Sequence, residues 1–422
     1  MGAGISPFSY ALLFPPDEHE RLLIERLAEA GVTVERCTEL LGFEDATTRV
    51  IARLRRPDGA VEACTAAFIA GCDGAHSTVR ETLRIGFTGG TYDHLFYVAD
   101  VAGNGAAMNG EIHVGLDISD FLAVFPMKGE AHARLIGTVQ EDAEHRQDDL
   151  SWNDVSRRVI AWMDIKVARV NWFSTYRVHH RVADHFRKGR AFLLGDAAHI
   201  HSPVGGQGMN TGIGDAVNLA WKLAAVLQGR AGSPLLDTYE PERIAFARRL
   251  VATTDEAFTG VTSRGLIARI VRLRIVPLLV PAFFAFRDAR RFMFRTVSQM
   301  AVNYRGSSLS EGRAGRVHGG DRLPWVETKQ ANTAADNFAP LTSLYWQVHI
   351  YSEAAPEIRK LCDARKLPLY IFAWRTEMDR AGLRRNAVYL VRPDGYVALA
   401  SPEVDTAALA SYLDTRRLLR AR

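Results

Sequence analysis

Along the 422 residues the spacing of apolar positions changes several times, and each change marks a different kind of element. From Asp17 to Ala30, "DEHERLLIERLAEA", the residues Leu22, Leu23, Leu27 and Ala30 recur at helical spacing, and Gly31 is a natural stop. "VTVE" then reads as a short strand. "RVIARLRRPDGAVEACTAAFIAG" predicts a hairpin turning at Pro57-Asp58-Gly59. From Phe87 to about Arg177, short apolar runs such as "HLFYVADV" and "ARLIGTV" are separated by Gly and Asp. That stretch is sheet-rich, with one helix expected over Trp152–Met163. Tyr239 to about Gln299 has a helical period. Tyr304–Pro324 is rich in Gly and Ser and reads as a linker. Beyond it, strands at "PLYIFAW" and "AVYLV", a turn at "RPDG" and a helix from Thr406 form a separate α/β unit.

The densest chemistry lies in "GRAFLLGDAAHIHSPVGGQGMNTGIGDAVNLAWKLAAVLQG", Gly189–Gly229. Ala191–Leu194 is a buried-strand run, and Gly195 and Asp196 stand at its carboxyl end, where open α/β sheets bind ligands. An Asp there accepts hydrogen bonds from vicinal hydroxyls. Pro203 sets the turn. Gly205, Gly206 and Gly208 remove side chains, so backbone can approach a flat ligand. A helix starts near Met209 or Asn210, with Val217, Ala220, Trp221, Ala224 and Leu227 as its expected buried face. Its free N–H groups favour negative charge on the ligand. The stretch is not a P-loop, because it lacks GxxxxGK[ST]. It is not a dinucleotide fingerprint either, because the Gly after Gly206 and Gly208 is Gly212.

A polyhydroxyl chain attached to a planar ring that becomes anionic describes a reduced flavin. "GDAAHIHSPVGGQGMNTGIGDAVNLAWKL" resembles the second flavin motif of the class A FAD-dependent aromatic hydroxylases, the para-hydroxybenzoate hydroxylase-like monooxygenases. "GCDGAHSTVR", Gly71–Arg80, resembles that family's Asp-Gly motif, and Thr78 with Glu81 makes a capping box for the helix it opens. "NAVYLVRPDGYVA", Asn386–Ala398, resembles the thioredoxin-like C-terminal domain of the phenol hydroxylase branch, here without CxxC.

The resemblance covers nearly the whole chain and implies an α/β fold of the glutathione-reductase FAD-binding type. The FAD-binding domain would be discontinuous, at 1–86 and 178–262. A substrate-binding sheet domain would be inserted at 87–177, a helical connector and linker would fill 263–316, and a thioredoxin-like domain would occupy 317–422. The implied cofactor is FAD, with NADPH or NADH and O2 as co-substrates and a small phenolic or polyketide-like aromatic as substrate. Gly195 and Asp196 would take the ribityl chain, and Pro203 would stand near flavin C4a. Gly205, Gly206, Gly208, Met209 and Asn210 would meet the ring through backbone. Asp73, Gly74 and Arg80 would support the pyrophosphate side. Substrate contacts would come from Phe96, Tyr97, Phe121, Phe125, Trp172 and Phe173. No general base stands out.

One departure is visible. The family opens with a strand, a GxGxxG turn and a helix. Here "MGAGISP" has no strand before it and Pro7 in the third Gly position. The first βαβ unit is therefore expected to be missing through N-terminal truncation, with flavin held weakly. Two other readings follow: a non-catalytic binding or assembly protein, and a flavin reductase or oxidase on the same scaffold.

Composition narrows the picture further. A net charge of +4, with no run of five basic residues, does not mark a nucleic-acid binder. The four cysteines form no CxxC and no zinc spacing, which fits a reduced, cytoplasmic protein. The start lacks the pattern of a signal peptide. The longest apolar run, Ile275–Phe286, is shorter than the ~20 residues of a membrane span and carries Pro277 and Pro281. It reads as a connector packed on the body, with a membrane-surface or partner-binding helix as the alternative. His199 and His201 are not expected to hold a metal, and a homodimer is compatible with the sequence.

Overall fold

The computed structural model describes residues 2–117, 121–129, 131–139, 150–202, 206–262, 270–328 and 336–419. Helix α1 (Pro16–Glu29) forms and stops at Gly31, whose φ of +77° suits Gly. It buries no residue, however, and Leu22, Leu23 and Leu27 are exposed. Val32–Glu35 is not a strand, because no described strand pairs with it. The chain instead enters an antiparallel meander of β1 (Glu39–Asp45), β2 (Val50–Arg55) and β3 (Val61–Ala66). The β2–β3 hairpin closes at Arg55 opposite Val61, as the Pro-Asp-Gly turn predicts.

Next come β4 (Ile69–Gly71) and helix α2 (Thr78–Leu83). The middle sheet has the order β12-β9-β5-β8-β7-β6, built from β5 (Phe87–Gly105), β6 (His113–Leu116), β7 (Phe121–Pro126), β8 (His132–Thr138), β9 (Ile165–Ala183) and β12 (His199–Ile200). It thus draws strand from both sides of residue 178. The helix expected over Trp152–Met163 is broken into a 3-10 turn, Trp152–Asp154, and α3 (Arg157–Trp162). Ser151 and Asp154 close a capping box across the first piece. β10 (Arg187–Lys188) and β11 (Ala191–Leu193) follow, and β11 lies parallel to β4.

Helices α4 (Gly208–Leu227) and α5 (Tyr239–Thr262) cover this small sheet. Residues Val276–Ala285 and Arg287–Val297 are also helical, but Leu278, Leu279, Phe286 and Phe292 stand exposed, so the apolar run is not packed as a buried connector. The Gly/Ser-rich stretch is no loose linker. Within it, β13 (Glu311–Ala314) and β14 (Val317–His318) join a six-stranded C-terminal sheet, and Tyr304 and Leu309 are buried. A Cβ on Gly312 would lie 2.3 Å from the Ala400 carbonyl oxygen, so Gly there permits close strand approach. The sheet order is β14-β13-β18-β17-β15-β16, with β15 (Gln347–Tyr351), β16 (Leu369–Phe372), β17 (Val388–Val391) and β18 (Val397–Ser401). A final helix, Thr406–Thr415, packs on it through Leu409, Tyr412 and Leu413. Among the described residues no helix is long and apolar enough to cross a membrane.

Candidate functional site

β4 and β11 are adjacent, parallel and end together: Leu194 N–H donates to the Gly71 carbonyl at 3.0 Å. Each strand runs straight into a turn, so the two motifs meet at the carboxyl end of one sheet. In the first turn, Asp73 Oδ2 accepts from Val79 N–H at 3.1 Å. Gly74 follows at φ +79°. The helix cap is Ser77, not Thr78: Ser77 Oγ accepts from Arg80 N–H at 3.0 Å, and no reciprocal Glu81 bond completes a box. Arg80 is buried, stacks 4.0 Å from the Phe87 ring, and donates to the Ala75 carbonyl at 2.7 Å and the Ala197 carbonyl at 3.0 Å. One guanidinium thus ties the Asp-Gly turn to the Gly-Asp turn. Burial lowers its pKa below the usual arginine range.

In the second turn, Gly195–Ala197 make one 3-10 turn, and Asp196 is exposed with no side-chain partner among the described residues. The turn is held from below by Asp215 on α4. Asp215 Oδ2 accepts from Gly195 N–H at 3.0 Å and pairs with His199 Nε2 at 2.7 Å, while Oδ1 accepts from Arg243 Nε at 2.5 Å. Arg243 also donates to the Tyr304 hydroxyl and the Thr211 carbonyl. Burial opposes charge on Asp215, but Arg243, His199 and the Gly195 N–H outweigh it and hold the carboxyl below its usual range. The Cα of Gly212 on α4 lies 3.6 Å from where a Cβ on Gly195 would stand, at a φ of +55°. The contact is an ordinary one, and it is the left-handed φ that favours Gly there.

The expected buried face of α4 is wrong in detail. Val217, Ala220 and Leu227 are exposed, Trp221 is buried, and the helix buries a polar stripe of Thr211, Asp215, Asn218 and Lys222 instead. Glu242 on α5 answers the far end. It accepts from Asn218 and Lys222, and from both arms of Arg392 of the C-terminal sheet at 2.7 and 2.9 Å. Burial pushes the Lys222 ammonium down to about 8 against the pull of Glu242. The sequence reading missed Asp215, although polar residues at 211, 215, 218 and 222 already repeat at helical spacing.

Among the described residues no side chain caps the start of α4. Gln207 is turned away, donating to the Val297 carbonyl at 3.1 Å. Gly206 has φ +61°, and Met209 and Asn210 are exposed. Pro203 and Gly205 lie outside the described residues. His201 Nδ1 donates to the Ser202 carbonyl at 2.8 Å, leaving buried Nε2 without a partner among the described residues, 3.9 Å from a Cβ placed on Gly208. Burial lowers the His201 pKa, so its free nitrogen is an acceptor at neutral pH. A cavity of about 520 Å³ opens beside the first two turns of α4, lined by Asn210, Ile213, Gly214, Arg243, Tyr304 and Arg322 among others.

The expected aromatic substrate residues divide between two faces of the middle sheet. Tyr97 stacks on Phe173 and meets Trp152 edge-on, inside a core on one face. Phe96 and Phe121 group with Tyr92, Tyr176 and Val178 on the other. Burial pushes the Tyr176 phenol up to about 12, so it stays protonated. Trp172 is exposed. Val178 of that cluster lies on β9 three residues before Arg181, which pairs with Ile200 of β12.

These features fit a flavin dinucleotide: an unpartnered carboxylate for hydroxyls, an uncapped helix start for an anionic ring, and an orphaned buried acceptor beside it. Residues 5–254 match the family model described as FAD binding domain. The chain belongs to that family and is an FAD-dependent oxidoreductase of the flavin monooxygenase class. It is 32% identical over 449 residues to 6-methylpretetramide 4-monooxygenase of Streptomyces rimosus, covering 98% of this chain and 77% of that protein. It is 32% identical over 333 residues to pentachlorophenol 4-monooxygenase of Sphingobium chlorophenolicum, covering 76% and 59%. Among solved structures, the anhydrotetracycline hydroxylase OxyS from Streptomyces rimosus superposes with a TM-score of 0.78 at 26% identity, over 97% of this chain and 81% of that one. The non-catalytic and reductase readings are not favoured by these relatives.

Proposed function

We propose that the chain hydroxylates a phenolic or polyketide-type aromatic ring, with FAD as cofactor and NADPH or NADH and O2 as co-substrates. The observation that carries this reading is the placement of unpartnered Asp196 and the uncapped start of α4 on one frame, both fixed by Asp215. When bound, the flavin supplies the activation of oxygen and its transfer to the ring.

The chain's own residues bind, orient and desolvate. The Asp196 carboxylate accepts hydrogen bonds from the ribityl hydroxyls. Backbone N–H groups of Gly208, Met209 and Asn210 stabilise negative charge on the ring, helped by the dipole of α4. Neutral His201 Nε2 accepts a hydrogen bond at the same turn. Asp73, Gly74 and Arg80 shape the adjoining wall, and Pro203 and Gly205 are further proposed contacts of the flavin. Phe96, Phe121 and Tyr176 offer a dry aromatic face to the substrate. The free cysteines fit a reducing compartment, the cytoplasm, and a homodimer is compatible with this reading.

The test is single-turnover product analysis. Chain reconstituted with FAD, supplied with NADPH or NADH and a panel of phenols and polycyclic aromatics under 18O2, should yield product carrying one 18O atom. Cofactor oxidation that yields only hydrogen peroxide across the panel contradicts the proposal.

A further inference from the structure

A cleft of arginines lies between the helix Arg287–Val297 and the C-terminal α/β unit. Arg291 and Arg295 come from the helix, Arg322 from the segment before Pro324, and Arg380 from the end of the helix Thr376–Ala381. With Trp325 they line a cavity of about 170 Å³ that contains no acidic side chain. It runs into a second space of about 400 Å³, which shares Arg295, Arg322 and Arg380. The acid there, Asp321, is already held by Arg305 through a two-pronged pair at 2.7 and 3.0 Å.

Among the described residues, Arg295, Arg322 and Arg380 have no acidic partner. Arg291 Nε and the Trp325 indole N–H are buried donors without acceptors among the described residues. Solvent screens part of the repulsion among the exposed guanidinia. It does not reach the two orphaned donors, each of which costs the desolvation of an unmade hydrogen bond. Several planar guanidinium forks around a small acid-free cavity match the oxygens of phosphate groups. Arg322 also lines the 520 Å³ cavity beside the start of α4, so one side chain borders both spaces.

We propose that this cleft binds the pyrophosphate of the nicotinamide dinucleotide co-substrate, with the rest of the molecule directed past Arg322 toward α4. The proposal rests on the monooxygenase reading for its choice of dinucleotide. The chemistry recognised, a pyrophosphate, is shared with FAD itself, and the experiment separates the two.

Calorimetric titrations would use the full chain with inorganic pyrophosphate, NADPH, NADH and FAD in separate arms. They would be run on the wild type and on the double variant Arg295→Ala/Arg380→Ala. Both side chains are exposed, so the variant should keep the wild-type Tm. Quenching of Trp325 fluorescence, with Trp325→Phe as the control, gives a second readout. Pyrophosphate and at least one nicotinamide dinucleotide should bind the wild type. Each should bind the double variant roughly tenfold or more weakly, the scale for losing a charge-assisted bond. FAD affinity should be unchanged. No pyrophosphate binding, or equal binding by both proteins, overturns the proposal. So does weakened FAD binding with unaltered NADPH and NADH binding, which would assign the cleft to the flavin's own phosphates. A chain that binds pyrophosphate in the cleft but nowhere binds FAD would refute the flavin reading and leave the phosphate site standing.

Discussion

Asp215 accepts a hydrogen bond at 3.0 Å from the backbone N–H of Gly195, twenty residues before it, and so fastens the turn that carries Asp196 to the helix that begins beside it. Asp215 does not face the ligand space. It is buried between His199 and Arg243, and its role is to position. Asp215→Ala would leave Arg243 buried and unpaired, a loss on the scale of about 3–5 kcal/mol. Urea unfolding of the apo-chain should show it as a lower midpoint. A midpoint unchanged from wild type would mean that the network is not holding the turn.

Arg80 makes the complementary tie across the two motifs. Lysine at that position cannot reach the Ala75 and Ala197 carbonyls together with a planar fork. Arg80→Lys should destabilise the fold by about 1.5–3 kcal/mol, the range for hydrogen bonds to a charged group. It should also weaken FAD binding, because Ala197 belongs to the same turn as Asp196. Full stability in the lysine variant would show that the carbonyl contacts contribute little.

The pH dependence of stability follows from Asp215 and Glu242. Burial opposes charge on both, yet Arg243 in one case and Arg392 with Lys222 in the other hold the folded-state values below the ordinary carboxyl range. The folded chain therefore binds fewer protons than the unfolded chain as the solution becomes acidic. The stabilisation is complete above the unfolded values of ~4 and is lost as pH falls through and below them. Tm should drop between about pH 5 and pH 3. Glu242→Gln should be less stable at neutral pH and show a shallower acid slope. A slope as steep as the wild type would place the acid sensitivity elsewhere.

Much of the site was legible because glycine requirements are local. The run from Gly195 to Gly208 announces a turn whatever lies around it, and the apolar strand before it and the helical period after it place that turn at a sheet end. The polar network was not legible in the same way. Thr211, Asp215, Asn218 and Lys222 look solvent-facing until their partners are known. Arg243 and Glu242 arrive from α5 and Arg392 from the turn after β17 of the C-terminal sheet. Apolar periodicity therefore pointed at Val217 and Leu227, which are exposed. Val32–Glu35 failed for a related reason, since β-branched residues form a strand only where a neighbour completes the ladder. The Gly/Ser content of Tyr304–Pro324 reads as a linker, whereas Gly312 lets β13 approach β18.

The most direct measurement is the affinity for FAD of the wild type and of Asp196→Ala, followed by flavin fluorescence quenching. Asp196 is exposed and has no side-chain partner among the described residues, so the substitution should leave Tm unchanged, which separates ligand loss from misfolding. The account predicts a dissociation constant raised by the equivalent of about 1.5–3 kcal/mol, roughly ten- to a hundredfold. Equal dissociation constants for the two proteins would contradict the placement of the flavin's polyhydroxyl chain at the end of β11.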